Sequence, residues 1–512
     1  MYNRTMNTKE ILKKTEYEIR KGSLDREAKG IAFDNRKVKE GDVFVCIKGV
    51  LFDTHSVVRE IAEKDPSVIV VSRDWADEHK DVVDSLPCDV VSVEDTRAAK
   101  AAVSCVWYGD PSSELTVIGV TGSKGKTTTS HMIMSMIEKA GRSVGMVGTT
   151  GGHINGKEYH FGTTTPDSDK MQEILRMMVD EGCEYAVVEA SSQGLKMHRT
   201  DQIDFDYGVF LNIDKGDHVS PTEHESFEDY LYCKSLLMKM SKTCVINQDD
   251  AHFEYMKNAA GPGKKVYGYG ENGDPDYKVS GVYERIVCGK PCVGFDIARK
   301  DGGFRDDILI GLPGTFNVVN AAAAVAMADL LGLDMGKVKQ SLTKIRVIGR
   351  LDMIYRTPDL SVCIDYAHNG LSTRNLLKAL RSYEPKRIVL VFGCGGDRDL
   401  DRRPEMGRAA GELADFSIIT SEHNRFEEFS DILKGIKLGI DQTGGDYIVI
   451  EDRKEAIRKA ILDSEKGDLV AVIGIGNDGC QHDHGKNIPH DDIEFSRQMI
   501  REWEKKTGKE NE

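Results

Sequence analysis

Residues 119–131, GVTGSKGKTTTSH, set glycines, lysines and hydroxyls in a pattern that grips phosphate. Gly122 and Gly125 let backbone N–H groups approach phosphate oxygens closely, and Lys126 can neutralise the β- and γ-phosphates. Thr127 offers a hydroxyl to Mg2+, and the following helix adds its N-terminal dipole. The register departs from the general motif, which puts four residues between its first Gly and Gly-Lys-Ser/Thr. Val120 stands where that glycine belongs, and Gly119 is one position early. A solvated Gly-rich turn has the same residue types. The apolar LTVIGV before the loop and the helix-like TTSHMIMSMIEKAG after it favour a strand–loop–helix phosphate site.

Five further segments carry chemistry. In EASSQGLKMHR (189–199), Glu189 follows the apolar YAVV, and a carboxylate at a strand end beside a phosphate loop can hold Mg2+. In 211–237, Asn212, Asp217 and His218 cluster after a strand, while Lys234 lies on the next helix, where a lone lysine is ordinarily solvated. DYAHNG (365–370) and CGGDRDLDRRPEMG (394–407) each follow a strand, and Arg398, Arg402 and Arg403 in the second suit an anionic partner. TSEHNRFEE (420–428) sets Arg425 among acids, a combination that grips a zwitterionic amino acid or makes an ordinary surface ion pair. The Cys480, His482, His484 and His490 set matches no standard zinc spacing and reads as a polar loop.

The elements that must position these residues fall into three α/β units. Residues 1–112 mix short strands (43–47, 67–72, 89–93) with helices and close at GDPSSEL, 109–115. Residues 113–345 alternate apolar strands with helical patterns, which predicts a doubly wound parallel sheet like that of P-loop ATPases. A β-rich stretch at 264–312 and an Ala-rich helix at 317–333 end this unit. Residues 346–512 hold a second, Rossmann-like sheet, with ligands expected at the strands' carboxyl ends. At 512 residues the chain is too long for one core. Its net charge of −15 argues against nucleic acid as a partner. Eleven cysteines without a CxxC pair suit reduced thiols. With no membrane-length apolar run and no secretory h-region, the sequence predicts a cytoplasmic protein.

The order of these motifs resembles the Mur ligases, the ATP-dependent amino-acid ligases of peptidoglycan synthesis, and within them the MurE branch. The likeness spans nearly the whole chain: VTGSKGKTTT, TTTPDS (163–168), EASSQGL, LNI…DH…EDYLYCK, PGTFNVVNAAAA (313–324), GRLD (349–352), DYAHN and FGCGGDRDLDRRPEMG, with FDNRKVKEGDVFVCIKG (33–49) resembling the uridine-binding domain. In that family the first glycine of the loop stands where Gly119 does, and Ser123 replaces a threonine while keeping the hydroxyl.

The resemblance implies an ATP-dependent ligase that adds meso-diaminopimelate or L-lysine to UDP-N-acetylmuramoyl-L-alanyl-D-glutamate through an acyl phosphate, acting as a monomer. It implies ATP contacts from Gly122, Ser123, Lys124, Gly125, Lys126, Thr127, Thr128, Asn320, Arg350, Asp365 and His368. Thr127, Glu189, His218 and a carbamylated Lys234 would hold Mg2+, with Lys126, Lys234, His218 and Glu189 central to catalysis. Asp34, Asn35, Arg36, His55, Thr164, Thr165, Ser191 and Arg199 would meet the UDP-muramoyl substrate. Arg398, Glu422, His423, Asn424, Arg425, Gly474 and Asp478 would meet the amino acid.

Several positions depart from the family pattern. Asp-Asn-Pro-Arg is Glu422-His423-Asn424-Arg425, and Gly-Lys-Gly-His-Glu is Gly474-Ile475-Gly476-Asn477-Asp478. Met197 replaces a glutamine, and Ser220 an aspartate. Arg425, suited to a distal carboxylate, leans toward diaminopimelate. The altered segments leave room for a ligase of another substrate, of the folylpolyglutamate or cyanophycin kind, or for a nucleotide-binding scaffold.

Overall fold

A computed structural model describes residues 5–49, 52–214, 223–476 and 478–509. Its strands form three large sheets. The first has the order Glu18–Lys21, Asp89–Val93, Val68–Ser72, Asp42–Val45, Gly30–Ala32, parallel except for the first strand.

The second sheet is built on six parallel strands: β1 (Thr116–Thr121), β2 (Val144–Gly148), β3 (Tyr185–Glu189), β4 (Phe205–Phe210), β5 (Thr243–Asn247) and β6 (Lys265–Gly270). Their order is β2-β3-β1-β4-β5-β6. Antiparallel pairings extend the β2 edge, while at the β6 edge Tyr277–Val287 pairs parallel to β6 and then antiparallel to Lys290–Arg299, which pairs antiparallel to Arg305–Ile310. The strands are apolar on both faces because helices cover both. Val117 faces one core with the helices α2 (Ser168–Asp180) and α3 (Phe227–Met240), while Ile118 faces the other with α1 (Lys126–Lys139) and α4 (Phe316–Leu330). The Ala321–Ala324 run of α4 is buried, and its small side chains suit close packing on the sheet.

The third sheet orders Asp352–Arg356, β7 (Leu360–Asp365), β10 (Asp468–Ile473), β8 (Arg387–Phe392), β9 (Phe416–Ile419) and Tyr447–Val449, all parallel beyond the first strand. Between β8 and β10 in the chain lie helices α5 (Arg402–Leu413) and α6 (Phe429–Ile440). They touch through glycine: a Cβ built on Gly439 would run into the Pro404 carbonyl oxygen, and one on Gly407 into that of Ile436. This backbone contact fixes the two loops that precede the helices, 394–401 and 420–428. The 480–492 segment, expected as a loop, makes the hairpin Cys480–Asp483/Lys486–Pro489. Among the described residues no helix is long and apolar enough to cross a membrane.

In an exposed helix Gly→Ala stabilises by about 1 kcal/mol. At Gly439 the sign should reverse: Gly439→Ala should destabilise by about 1–3 kcal/mol through overpacking, read as a lower denaturation midpoint at unchanged m-value.

Candidate active site

The phosphate-type loop joins β1 to α1. Gly125 is the residue before the helix, at φ +86°, and a Cβ there would run into Asn320 Oδ1. Only glycine suits both the left-handed backbone and the close approach of α4. Asn212 clamps the loop from β4's end: its carbonyl accepts from Ser123 N–H at 2.9 Å, its Oδ1 from Lys124 N–H at 2.9 Å, and its Nδ2 donates to Lys124 O at 3.2 Å. Ser123 Oγ and Tyr230 Oη share a hydrogen bond of 2.7 Å. Lys126 Nζ and Lys234 Nζ each donate to the Gly122 carbonyl at 2.8 Å. Both lysines thus converge on one carbonyl oxygen of the loop. Lys234 is buried, with its Nζ 4.7 Å from the Tyr230 ring centroid, so it is not the solvated lysine its helix position alone would give.

Glu189 ends β3 and is fully buried. Its Oε2 accepts from Thr127 Oγ1 and Thr149 Oγ1, both at 3.0 Å, and its Oε1 from Thr149 N–H at 3.2 Å. Burial pushes this carboxyl above its ordinary range, against the pull of Lys126 and Arg350. The Glu189 carbonyl accepts from Thr165 Oγ1 at 2.7 Å, Thr165 bonds Ser191, and Arg199 donates to Thr165 O at 3.0 Å. Thr164 Oγ1 lies 3.0 Å from Thr149 Oγ1. The 163–168 loop is thereby tied to the phosphate loop through one carboxylate.

The third sheet supplies the opposite wall. Asp365, at the end of β7, accepts from Leu351 N–H and Ala367 N–H at 2.7 Å each, and burial raises its carboxyl against nearby Arg350. Arg350 lies over the Tyr366 ring, 4.4 Å from its centroid. Lys124 Nζ reaches His368 Nε2 at 3.4 Å, and Arg398 donates to Glu223 at 2.6 Å, both across the cleft. Arg425 takes a left-handed backbone, φ +54°, which a non-glycine residue adopts at a cost. Its N–H bonds His482 O at 3.0 Å and its Nη1 bonds Gly396 O at 2.7 Å, holding the turn without the family's proline. Glu422 is buried, with burial raising its carboxyl against His423, Arg453 and Arg425. Gly474 leaves the room that Glu422 Oε2 occupies.

These walls enclose a cavity of about 1130 Å3. It gathers Ser123–Thr128, Asn320, Arg350, Asp365 and His368 with Thr164, Thr165, Ser191 and Arg199, and with Arg398, Glu422, His423, Arg425 and Gly474. Gly122 and Glu189 stand behind this lining, bonded to Lys126 and Thr127. Asn424 and Asp478 do not line it; Asp478 accepts from Tyr366 Oη at 3.0 Å and sits 3.4 Å from His423 Nε2. Asp34, Asn35, Arg36 and His55 lie on the first sheet's unit, away from this lining. Asp34 pairs with Arg36 at 2.8 Å. His55 is buried with both ring nitrogens committed, to Asp53 and to Ser72 N–H, so it fixes its own loop. That unit reaches the site through Lys100, which pairs with Asp169 at 2.6 Å and with Asp167 at 3.3 Å, while Asp167 also pairs with Arg199. Asp217, His218, Ser220 and Asn477 lie outside the described residues.

Among the described residues the 480–492 histidines assemble no metal cluster; His490 is buried against Asp492 at 2.7 Å. One His/Asp/Cys group does converge, His224, Asp229 and Cys233, but Lys196 already places an ammonium on Asp229 at 2.6 Å. Three residues escaped sequence reasoning. Tyr230 and Glu223 flank motifs already in view, so proximity was their signal. Arg453 had none: it sits in RKEAIRKAIL, which reads as a solvated helix, yet it is fully buried on Asp492 and bonds Ile473 O at 2.9 Å.

Residues 120–328 match the Mur ligase middle domain, and residues 349–476 match the Mur ligase, glutamate ligase domain. The chain is 38% identical to the UDP-N-acetylmuramoyl-L-alanyl-D-glutamate--2,6-diaminopimelate ligase of Caldanaerobacter subterraneus subsp. tengcongensis, covering 98% of this chain and all of the relative. The chain belongs to the Mur ligase family. A second relative of this Mur ligase, Clostridium acetobutylicum UDP-N-acetylmuramoyl-L-alanyl-D-glutamate--2,6-diaminopimelate ligase 1, is 36% identical across 97% of this chain and all of its own. A solved UDP-N-acetylmuramoyl-L-alanyl-D-glutamate--2,6-diaminopimelate ligase superposes with a TM-score of 0.66 at 27% identity, over 98% of this chain and 99% of its own. The protein is thus a ligase, of the three-unit α/β architecture its sequence implies.

One pH effect follows for this Mur ligase. His131, on α1, bonds Thr150 at 2.9 Å, and burial, with His153 and Arg350 adding to it, pushes its imidazole down to about 4 from 6.5. Between those values the unfolded chain binds the proton and the folded protein does not, so stability is lost as pH falls through that window. His131→Gln should flatten the decline of Tm over that range; parallel slopes in variant and wild type would refute it.

Proposed function

We propose that this Mur ligase joins meso-diaminopimelate to UDP-N-acetylmuramoyl-L-alanyl-D-glutamate in the cytoplasm, consuming ATP. Residues 1–112 would take the uridine end, 113–345 ATP and the muramoyl-peptide, and 346–512 the amino acid. The observation that carries this reading is the single cavity in which Lys126, the 164–165 and 191–199 residues, and Arg398 and Arg425 meet. Both curated relatives bear the name of this activity.

A carboxylate is a poor electrophile. Attack of the peptide's terminal carboxylate on the γ-phosphorus of ATP gives an acyl phosphate and ADP. A neutral amine then adds to the acyl carbon, the tetrahedral intermediate expels phosphate, and the nitrogen sheds a proton. Lys126 and Lys124 offset phosphate charge, and Asn212 holds the loop that presents them. Ser191, Thr165 and Arg199 orient the muramoyl-peptide. Arg425 and Arg398 hold the amino acid's carboxylate.

Mg2+ fits the residues present. Glu189 is a buried carboxylate held by two threonine hydroxyls and an N–H, an oxygen-rich neighbourhood that suits a hard cation. Thr127, Glu189, His218 and Lys234 as a carbamate would hold it. When bound it supplies charge neutralisation at the phosphates.

Purified protein with Mg-ATP, the UDP-muramoyl dipeptide and a panel of amino acids should release phosphate with meso-diaminopimelate; release with none sinks the proposal. Lys126→Ala should lower kcat by about 10^2-fold or more. Arg425→Ala should raise the amino-acid KM by about tenfold while moving kcat little.

A further inference from the structure

Lys100 belongs to the first unit, on helix Thr96–Trp107, yet its charge faces the second. Its Nζ lies 2.6 Å from Asp169 Oδ1, in the first turn of α2, and 3.3 Å from Asp167 Oδ2, just before that helix. Asp167 turns its other oxygen to a second cation: Oδ1 lies 3.0 Å from Arg199 Nε. Arg199 in turn donates from Nη1 to the Thr165 carbonyl and lines the cavity. An isolated exposed ion pair holds its side chains weakly. Lys100 is not of that kind. It is 12% exposed, set between two carboxylates, and its Nζ lies 4.9 Å from the ring centroid of Phe33, the residue before Asp34. Its helix is also tied to a loop of the first unit, since Arg97 donates to the Lys48 carbonyl at 2.9 Å. A second contact between the units falls one residue from Arg199, where His198 Nε2 lies 3.4 Å from Asp95 Oδ2.

We propose that Lys100 is a positioning residue for the muramoyl-peptide, one that sets Arg199 through Asp167. This rests on the ligase reading above. Asp167 carries one negative charge and meets a cation at each oxygen. With Lys100 in place that charge is divided, and Arg199 keeps donors for the cavity. Without Lys100 the whole carboxylate falls to Arg199, and a bidentate pair is the geometry that carboxylate and guanidinium prefer. The guanidinium then turns onto Asp167 and away from the substrate. Lys100 also lies over Phe33, beside the Asp34–Arg36 segment proposed for the uridine end. The unit proposed to take the nucleotide end therefore sets the arginine that meets the peptide end. Binding energy from the remote end of the substrate is in this way used to orient its reacting end.

The full-length enzyme is assayed with Mg-ATP, the UDP-muramoyl dipeptide and meso-diaminopimelate. Lys100→Met keeps an unbranched apolar stem and removes the charge. It should raise the KM for the UDP-muramoyl dipeptide by about fivefold or more. The KM values for ATP and diaminopimelate should stay within about twofold, since neither ligand meets Lys100, Asp167 or Arg199 in this reading. Asp167→Asn should raise the same dipeptide KM, and adding Lys100→Met to it should change that value by less than about twofold, because the two act in one chain. Lys100→Arg should recover part of the dipeptide KM. A rise in all three KM values together marks a merely structural residue and overturns the assignment. So does an unchanged dipeptide KM in either single variant, or a double variant whose effects multiply; wild-type turnover leaves the ligase reading intact in each case. A wild type inert with every amino acid overturns the ligase reading and this inference with it.

Discussion

A buried carboxylate must be given partners, and Glu189 is where that requirement shapes the molecule. It sits at the carboxyl end of a central strand, stripped of water, with its ordinary ionisation penalised. Thr127 on the phosphate loop and Thr149 after the adjacent strand answer it with hydroxyls, and its carbonyl takes the hydroxyl of Thr165. Three chain segments far apart in sequence therefore meet at one residue. Nucleotide loop and muramoyl-side loop cannot be placed independently, and the charge left over at Glu189 is what a cation would complete.

Much of this was legible in the sequence. The alternation of apolar strands and helices gave the two parallel sheets, because strands covered on both faces are apolar throughout. The strand–loop–helix context identified the phosphate loop despite its shifted glycine, and the strand-end positions of Glu189, Asp365 and Arg425 followed. The rest depended on side chains whose neighbours lie elsewhere in the chain. Asn212 stood out as polar after a strand, but nothing local said that it would clamp residues 123–124. His55 looked available and is spent on Asp53 and Ser72. The 480–492 segment looked irregular because its two short strands pair with each other, touch Arg425 through one isolated bridge, and carry no alternation of buried residues.

Arg453 shows the limit most clearly. Its guanidinium reaches Asp492 through two bonds of 2.8 and 2.6 Å, and it also bonds the carbonyl of Ile473 and, at 3.4 Å, that of Ser421. Those two residues immediately precede Gly474 and Glu422. One buried cation thus registers two parallel strand ends against each other at the point where both enter the cavity. An ion pair removed from water contributes modestly to net stability, since desolvation offsets attraction, but it is demanding about geometry. Here that demand falls on the wall expected to read the amino acid.

The glycine contact between α5 and α6 has an evolutionary side. Where backbone meets backbone there is no side-chain volume to trade, so the angle between these helices is closed to gradual adjustment by substitution. Drift in what this wall recognises is channelled into the loops at the strand ends. That is where Glu422, His423, Asn424 and Asp478 differ from the family pattern while Gly407 and Gly439 hold the frame behind them. The scaffold is rigid so that the recognition loops are free to diverge.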